Sequence, residues 1–249
     1  MGNIKFEGNQ DIREITIMIA LRSVGESPGA NSTSCVITKP AGLTVGDLMI
    51  AQTVFHSLAE SPSIPSPPDG WTLIRQDRES SGDGYIRGAL FWKIADADDV
   101  AADTFTFSND LACSNRGAIT AWTGHDTTTP INASNGLSNA ASTTVTSTGV
   151  TPTVANCVIL MICGVADNNT QSNYAITTDN PASWTEAYDL LTTLGDDCAL
   201  AMGYALRPET SATGNGTATT SASDVNVGQL VAIAPAVAAA GRSFGFIIG

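Results

Sequence analysis

Val45-Gly46-Asp47-Leu48-Met49-Ile50-Ala51 returns 109 residues later as Val154-Ala155-Asn156-Cys157-Val158-Ile159-Leu160. Four further blocks follow each copy in the same order. Pro68-Asp69-Gly70-Trp71-Thr72-Leu73 matches Pro181-Ala182-Ser183-Trp184-Thr185-Glu186, and Ala89-Leu90-Phe91-Trp92-Lys93-Ile94 matches Ala201-Met202-Gly203-Tyr204-Ala205-Leu206. Thr104-Phe105-Thr106-Phe107 matches Gly216-Thr217-Ala218-Thr219, and Gly117-Ala118-Ile119-Thr120-Ala121-Trp122 matches Gly228-Gln229-Leu230-Val231-Ala232-Ile233. The offsets from Trp71 to Trp184, Trp92 to Tyr204 and Gly117 to Gly228 are 113, 112 and 111. A nearly constant spacing over five ordered blocks identifies an internal duplication.

The blocks read as strands. Leu90, Trp92 and Ile94 alternate with Ala89, Phe91 and Lys93, and Phe105 and Phe107 alternate with Thr104 and Thr106, which is the period of two. Val158 to Cys163 is an unbroken apolar run, the pattern of a central strand covered on both faces. Turn signals stand between blocks at Pro67-Pro68-Asp69-Gly70, Ser81-Gly82-Asp83-Gly84, Asn180-Pro181 and Gly214-Asn215-Gly216. Helix is expected only as a turn or two over Asp96–Ala102. The expected fold is all-β: a jelly-roll-like, two-sheet β-sandwich of two pseudo-symmetric halves, each burying one apolar face on the other. The expected divisions are an arm and first strand at 1–32, one duplicated domain at 33–235 (halves 33–131 and 132–235), and an apolar tail at 236–249.

Bulk composition narrows the function classes. The 249 residues are 43% hydrophobic and only 14% charged, with 24 acids against 11 bases. A net charge of −13 repels a phosphate backbone or an anionic membrane surface, so neither nucleic acid nor membrane insertion is expected. Met1–Arg13 is not a secretory signal, and no apolar run is long enough to span a bilayer. Five cysteines (Cys35, Cys113, Cys157, Cys163 and Cys198) show no CxxC spacing and read as buried thiols, with one unassigned bridge left open.

The strings Pro40–Met49 (PAGLTVGDLM), Pro67–Leu73 (PPDGWTL), Phe91–Ala95 (FWKIA), Phe105–Ser108 (FTFS) and Ala121–Gly124 (AWTG) resemble a family of β-sandwich proteins found among tailed-phage structural proteins and bacterial surface proteins. The resemblance covers about Thr33 to Pro235. It implies a virion structural, decoration, fibre or tail-associated role and carries no catalytic motif.

Chemistry is sparse in the sequence. His56 reads as a strand-end residue and His125 as a solvated loop residue; neither has a GxSxG elbow to serve. Asp96, Asp98, Asp99 and Asp103 crowd one loop and read as solvated turn charges, with a glycosidase pair or a calcium site as the functional alternatives. Asp77, Glu79 and Asp83 offer no better set. The four tryptophans read as core, with sugar stacking as the alternative. No catalytic, cofactor or metal residue is assigned, and no cofactor is expected. Phe244, Phe246, Ile247 and Ile248 form an apolar terminus suited to subunit docking. The expected role is a non-enzymatic, multicopy virion surface component, homo-oligomeric and docked to other virion subunits. The alternative is a module that binds a host-surface glycan or receptor.

Overall fold

The computed structural model describes residues 18–81, 84–178 and 183–236. Two six-stranded antiparallel sheets divide the chain at its middle. The first holds β1 (Ala20–Glu26), β2 (Ala30–Thr38), β3 (Leu48–Ser57), β4 (Thr72–Ser81), β5 (Gly84–Ile94) and β6 (Thr104–Thr123). The second holds β7 (Ile131–Ser147), β8 (Cys157–Val165), β9 (Gln171–Ile176), β10 (Thr185–Thr192), β11 (Cys198–Arg207) and β12 (Gly216–Ile233). One helical turn, α1 (Ala97–Ala101), links β5 to β6. The orders β1-β6-β3-β5-β4 and β7-β12-β8-β11-β10 are the same order written twice. The chain is a two-sheet β-sandwich of two similar halves.

Alternation along the central strands explains the layering. Leu48, Ile50 and Val54 of β3 face a core shared with Val158, Leu160 and Ile162 of β8. Their neighbours Met49, Ala51 and Phe55 face the opposite way into a second core with Phe91, Phe105 and Phe107. Cys157, Ile159, Met161 and Cys163 of β8 likewise enter a third core with Val145, Tyr174 and Leu230. Each half therefore buries two apolar faces, not the single face expected from its sequence pattern.

The extra cores arise because the long strands fold back. The first part of β6 pairs with β2, whereas its last part pairs with β1 and β3. The first part of β12 pairs with β9 and the end of β7, and its last part with β8 and the start of β7. Register breaks at Ser32/Ser34 and between Thr219 and Asn226 mark the bends. Each bent ribbon forms a flap over the outer face of its own sheet. A Cβ on Gly117 would lie 2.6 Å from Ile37 Cδ1, and one on Gly228 would lie 2.3 Å from the Thr146 carbonyl oxygen. The repeated glycine is required by the close approach of the flap.

Pairing also corrects the repeat register. Gly117 opposes Thr53 and Gly228 opposes Cys163, so β3 and β8 are related by 110 residues rather than 109. A one-residue slip would exchange the two faces of the strand, and facing decides what sequence similarity left ambiguous. Residue 33, the expected start of the first half, lies inside β2. Across the seam, Trp122 meets Tyr204 edge-on at 5.2 Å between ring centroids. Two buried glutamines also cross it. Gln52 Nε2 donates to the Cys163 carbonyl (2.6 Å), while its Oε1 accepts from the Tyr188 hydroxyl (2.7 Å). Gln229 Nε2 donates to Asp77 Oδ2 (2.7 Å).

Candidate functional site

Three of the seven acidic groups weighed from the sequence, Asp77, Asp96 and Asp99, have structural tasks. Asp96 caps α1 and accepts from the Asp98 and Asp99 amides, while Asp99 returns a bond to the Asp96 amide. Lys93 Nζ sits 2.8 Å from Asp99 Oδ1 and 3.1 Å from Asp96 Oδ2. Burial pulls the Lys93 pKa down, but hydrogen bonds and charge from Asp99 and Asp96 outweigh it and raise the value. Asp99 is buried, contrary to the solvated loop expected, because Lys93 compensates its charge. Asp98 and Asp103 are exposed. Asp77 pairs with Arg75 at 2.6 Å and also accepts from Gln229. Asp83 and the tail residues Phe244, Phe246, Ile247 and Ile248 lie outside the described residues.

His125 is a correction. It is buried rather than solvated, since the returning chain forms a bridge to it at Pro235. Burial lowers its pKa against the opposing influence of the Trp122 backbone, Asp47 and Asp126. The tryptophans pack inward. Trp71 lies edge-on to Phe105 and Phe107 at 5.7 and 5.5 Å, and Trp122 is fully buried. Trp92 and Trp184 are half-buried against the shared core and the second half's own core. All five cysteines are buried free thiols. Burial pushes Cys35, Cys113 and Cys198 up to about 12 and Cys157 up to about 11.

Polar groups from both halves line a cleft of about 530 Å³ at one end of the seam. His56 near the end of β3 and Leu58 just beyond it form one wall. Asp167 after β8, Gly195-Asp196-Asp197 between β10 and β11, and Ser223-Asp224 at the bend of β12 form the rest. His56 is buried, and its Nδ1 lies 2.6 and 2.7 Å from the Asp196 and Asp197 carbonyl oxygens. Both neighbours are acceptors, so Nδ1 carries the proton and donates. The Leu58 amide donates to Asp196 Oδ2 (2.8 Å), and Asn168 Nδ2 donates to Asp197 Oδ2 (3.2 Å). Asp197 adopts φ 56°, in the left-handed region that few residues other than glycine enter.

No family model, curated protein or solved structure matches the chain.

The cleft therefore has to be read from its own chemistry. Its four carboxylates make that end of the seam electronegative, attracting cations and repelling anions. Among the described residues, no group of three or more His, Cys, Asp or Glu is placed to hold a metal ion. The His56 and Leu58 bonds instead fasten the first half to the β10–β11 turn. Sequence reading missed Asp167, Asp196, Asp197 and Asp224 because each lies in an ordinary polar turn or bend. The available signal was topological: the turn after β8 and the turn before β11 end at the same edge once those strands pair. No helix among the described residues is long and apolar enough to cross a membrane.

Proposed function

We propose that the chain is a non-enzymatic virion structural protein, a multicopy capsid decoration or surface-appendage component that docks on neighbouring subunits at the virion surface. The observation that carries this reading is the edge strand β7. It runs for 17 residues without a charged side chain or proline, and its outer edge pairs with no strand among the described residues. In the first half its place is shared by two strands: β2 also lacks charge over 9 residues, whereas β1 is guarded by Arg22 and Glu26. Free edges are ordinarily guarded by charge, proline or short length. The edges of β4 and β10 follow that rule, with Arg75, Asp77, Arg78 and Glu79 on one and Glu186 and Asp189 on the other. A long neutral edge on a protein of net charge −13 suits a surface that a neighbour covers. The resemblance of Pro40–Met49 and Pro67–Leu73 to phage structural proteins supports the virion setting. The burial of Trp71 and Trp122 leaves fewer stacking faces for a sugar-binding reading.

The test is self-assembly of the full chain, followed by light scattering and electron microscopy. We expect multimers, and we expect Ser134→Lys combined with Ala140→Lys on exposed β7 positions to disperse them without changing the melting temperature. A wild-type chain that stays monomeric at millimolar concentration, or a charged variant that assembles equally well, would refute the reading.

A further inference from the structure

The two flap cores are copies of one design that have diverged in polarity. In the first half, Phe91, Phe105 and Phe107 fill the space under the flap. Gly203 stands where Phe91 does, and the 111-residue offset that relates Gly117 to Gly228 places Gly216 and Ala218 where Phe105 and Phe107 stand, one residue off the block match. The ring of Tyr174 from β9 has moved over Gly203, where an added Cβ would lie 2.4 Å from it.

Tyr174 brings a hydroxyl into this core, and it is not alone. Asn169, Gln171, Tyr174 and Thr220 are each more than nine-tenths buried. Asn169 Nδ2, Gln171 Oε1, the Tyr174 hydroxyl, Thr220 Oγ1 and Asp189 Oδ1 have no hydrogen-bond partner among the described residues. They are neighbours. Gln171 stands opposite Thr220 in the β9–β12 ladder, and its amide donates to Asp189 Oδ2 at 2.9 Å. Asp189 lies in a row with Ala201 and Cys163 across the outer face of the sheet, and both Asp189 and Cys163 act electrostatically on Tyr174.

Leaving one buried polar atom unbonded costs about 1–3 kcal/mol. Five such costs would consume most of the roughly 5–15 kcal/mol by which a domain is stable. These atoms therefore call for partners other than the described residues. Asn169 Oδ1 accepts from the Ser221 hydroxyl (3.3 Å), which leaves its amide nitrogen as the inward donor. Gln171 Oε1 and Asp189 Oδ1 can only accept, and the two hydroxyls can do either. A cation would face the Asn169 donor, and an anion would face Asp189. Water both donates and accepts, and it bridges such groups in threes and fours. We propose that the flap core of the second half is a binding site for a hydrogen-bonded cluster of internal water, coordinated by Asn169, Gln171, Tyr174, Asp189 and Thr220.

Magnetic relaxation dispersion of water nuclei on the full chain tests this. Wild type is expected to show long-lived internal water, and Thr220→Val and Tyr174→Phe, each shown to be folded, are expected each to lose the signal of at least one molecule. A high-resolution crystal structure of the wild type serves if either variant fails to fold, with ordered water expected within bonding distance of these atoms. Wild type without a long-lived component, folded variants with undiminished signal, or a cation retained in native mass spectrometry and seated on Asp189 would each overturn the proposal.

Discussion

Gly228→Ala should be far more damaging than Gly117→Ala, although the two glycines hold equivalent positions in the repeat. At Gly117 the new methyl would meet the ends of two side chains, Ile37 Cδ1 at 2.6 Å and Cys35 Sγ at 2.7 Å. Ile37 can rotate, and the overpacking cost should stay near 1 kcal/mol. At Gly228 the methyl would meet backbone, the Thr146 oxygen at 2.3 Å and its carbon at 2.6 Å. Relief there requires the flap to lift from the sheet, with a cost of about 3 kcal/mol or more. Both changes also stiffen the unfolded chain, which stabilises by about 0.4–1 kcal/mol in each case, so the difference between the variants isolates the clash. Urea titration with an unchanged slope measures it directly. In thermal melts of a chain this size, a loss of 3 kcal/mol corresponds to a drop of roughly 6–12 °C. If Gly228→Ala is no less stable than Gly117→Ala, the flap does not lie against the sheet as described.

Other consequences can be measured on the same preparations. Gln52→Leu strips partners from the Cys163 carbonyl and the Tyr188 hydroxyl inside the seam, and should lower stability by about 2–4 kcal/mol in chemical denaturation. Asp189 has its pKa raised, chiefly by burial, with Glu186 adding to the rise and the Gln171 amide opposing it. A raised carboxyl pKa weakens the fold as pH climbs from the unfolded value of 3.8 through the folded one. Asp189→Asn should therefore be more stable than wild type at neutral pH, with the advantage vanishing below that range in pH-dependent melts. Native protein at pH 8 should leave its thiols unlabelled by a maleimide or disulfide reagent over hours, and all five should label once denaturant is added. Rapid labelling of any one in the native state would contradict its burial.

The duplication was legible because strand cores are written in apolar residues, and apolar alternation survives divergence. Leu90-Phe91-Trp92 and Met202-Gly203-Tyr204 still read as one strand despite a lost ring. The folding-back of β6 and β12 was not legible. Alternation shows that Phe105 and Phe107 share a face with each other, yet it does not show which sheet that face covers. The bend is encoded by register breaks that exist only between strands. His125 was misread for a related reason: Gly124, Asp126 and Pro130 are loop residues, while the chain that covers it lies more than a hundred positions away at Pro235. The cleft acids were invisible as a group, since Asp167, Asp196 and Asp224 converge only after β8, β11 and β12 assemble.

Residues 124–130 tie the last strand of one sheet to the first strand of the other. The seam is thus an intramolecular contact, held at an effective concentration of millimolar order or above however dilute the solution. Two separate chains meeting through the same surface would have to keep that surface complementary to itself through every mutation. A tethered pair is released from that demand, and each copy can drift alone. The phenylalanine-filled interior of one half and the largely aliphatic interior of the other show how far that freedom has been taken.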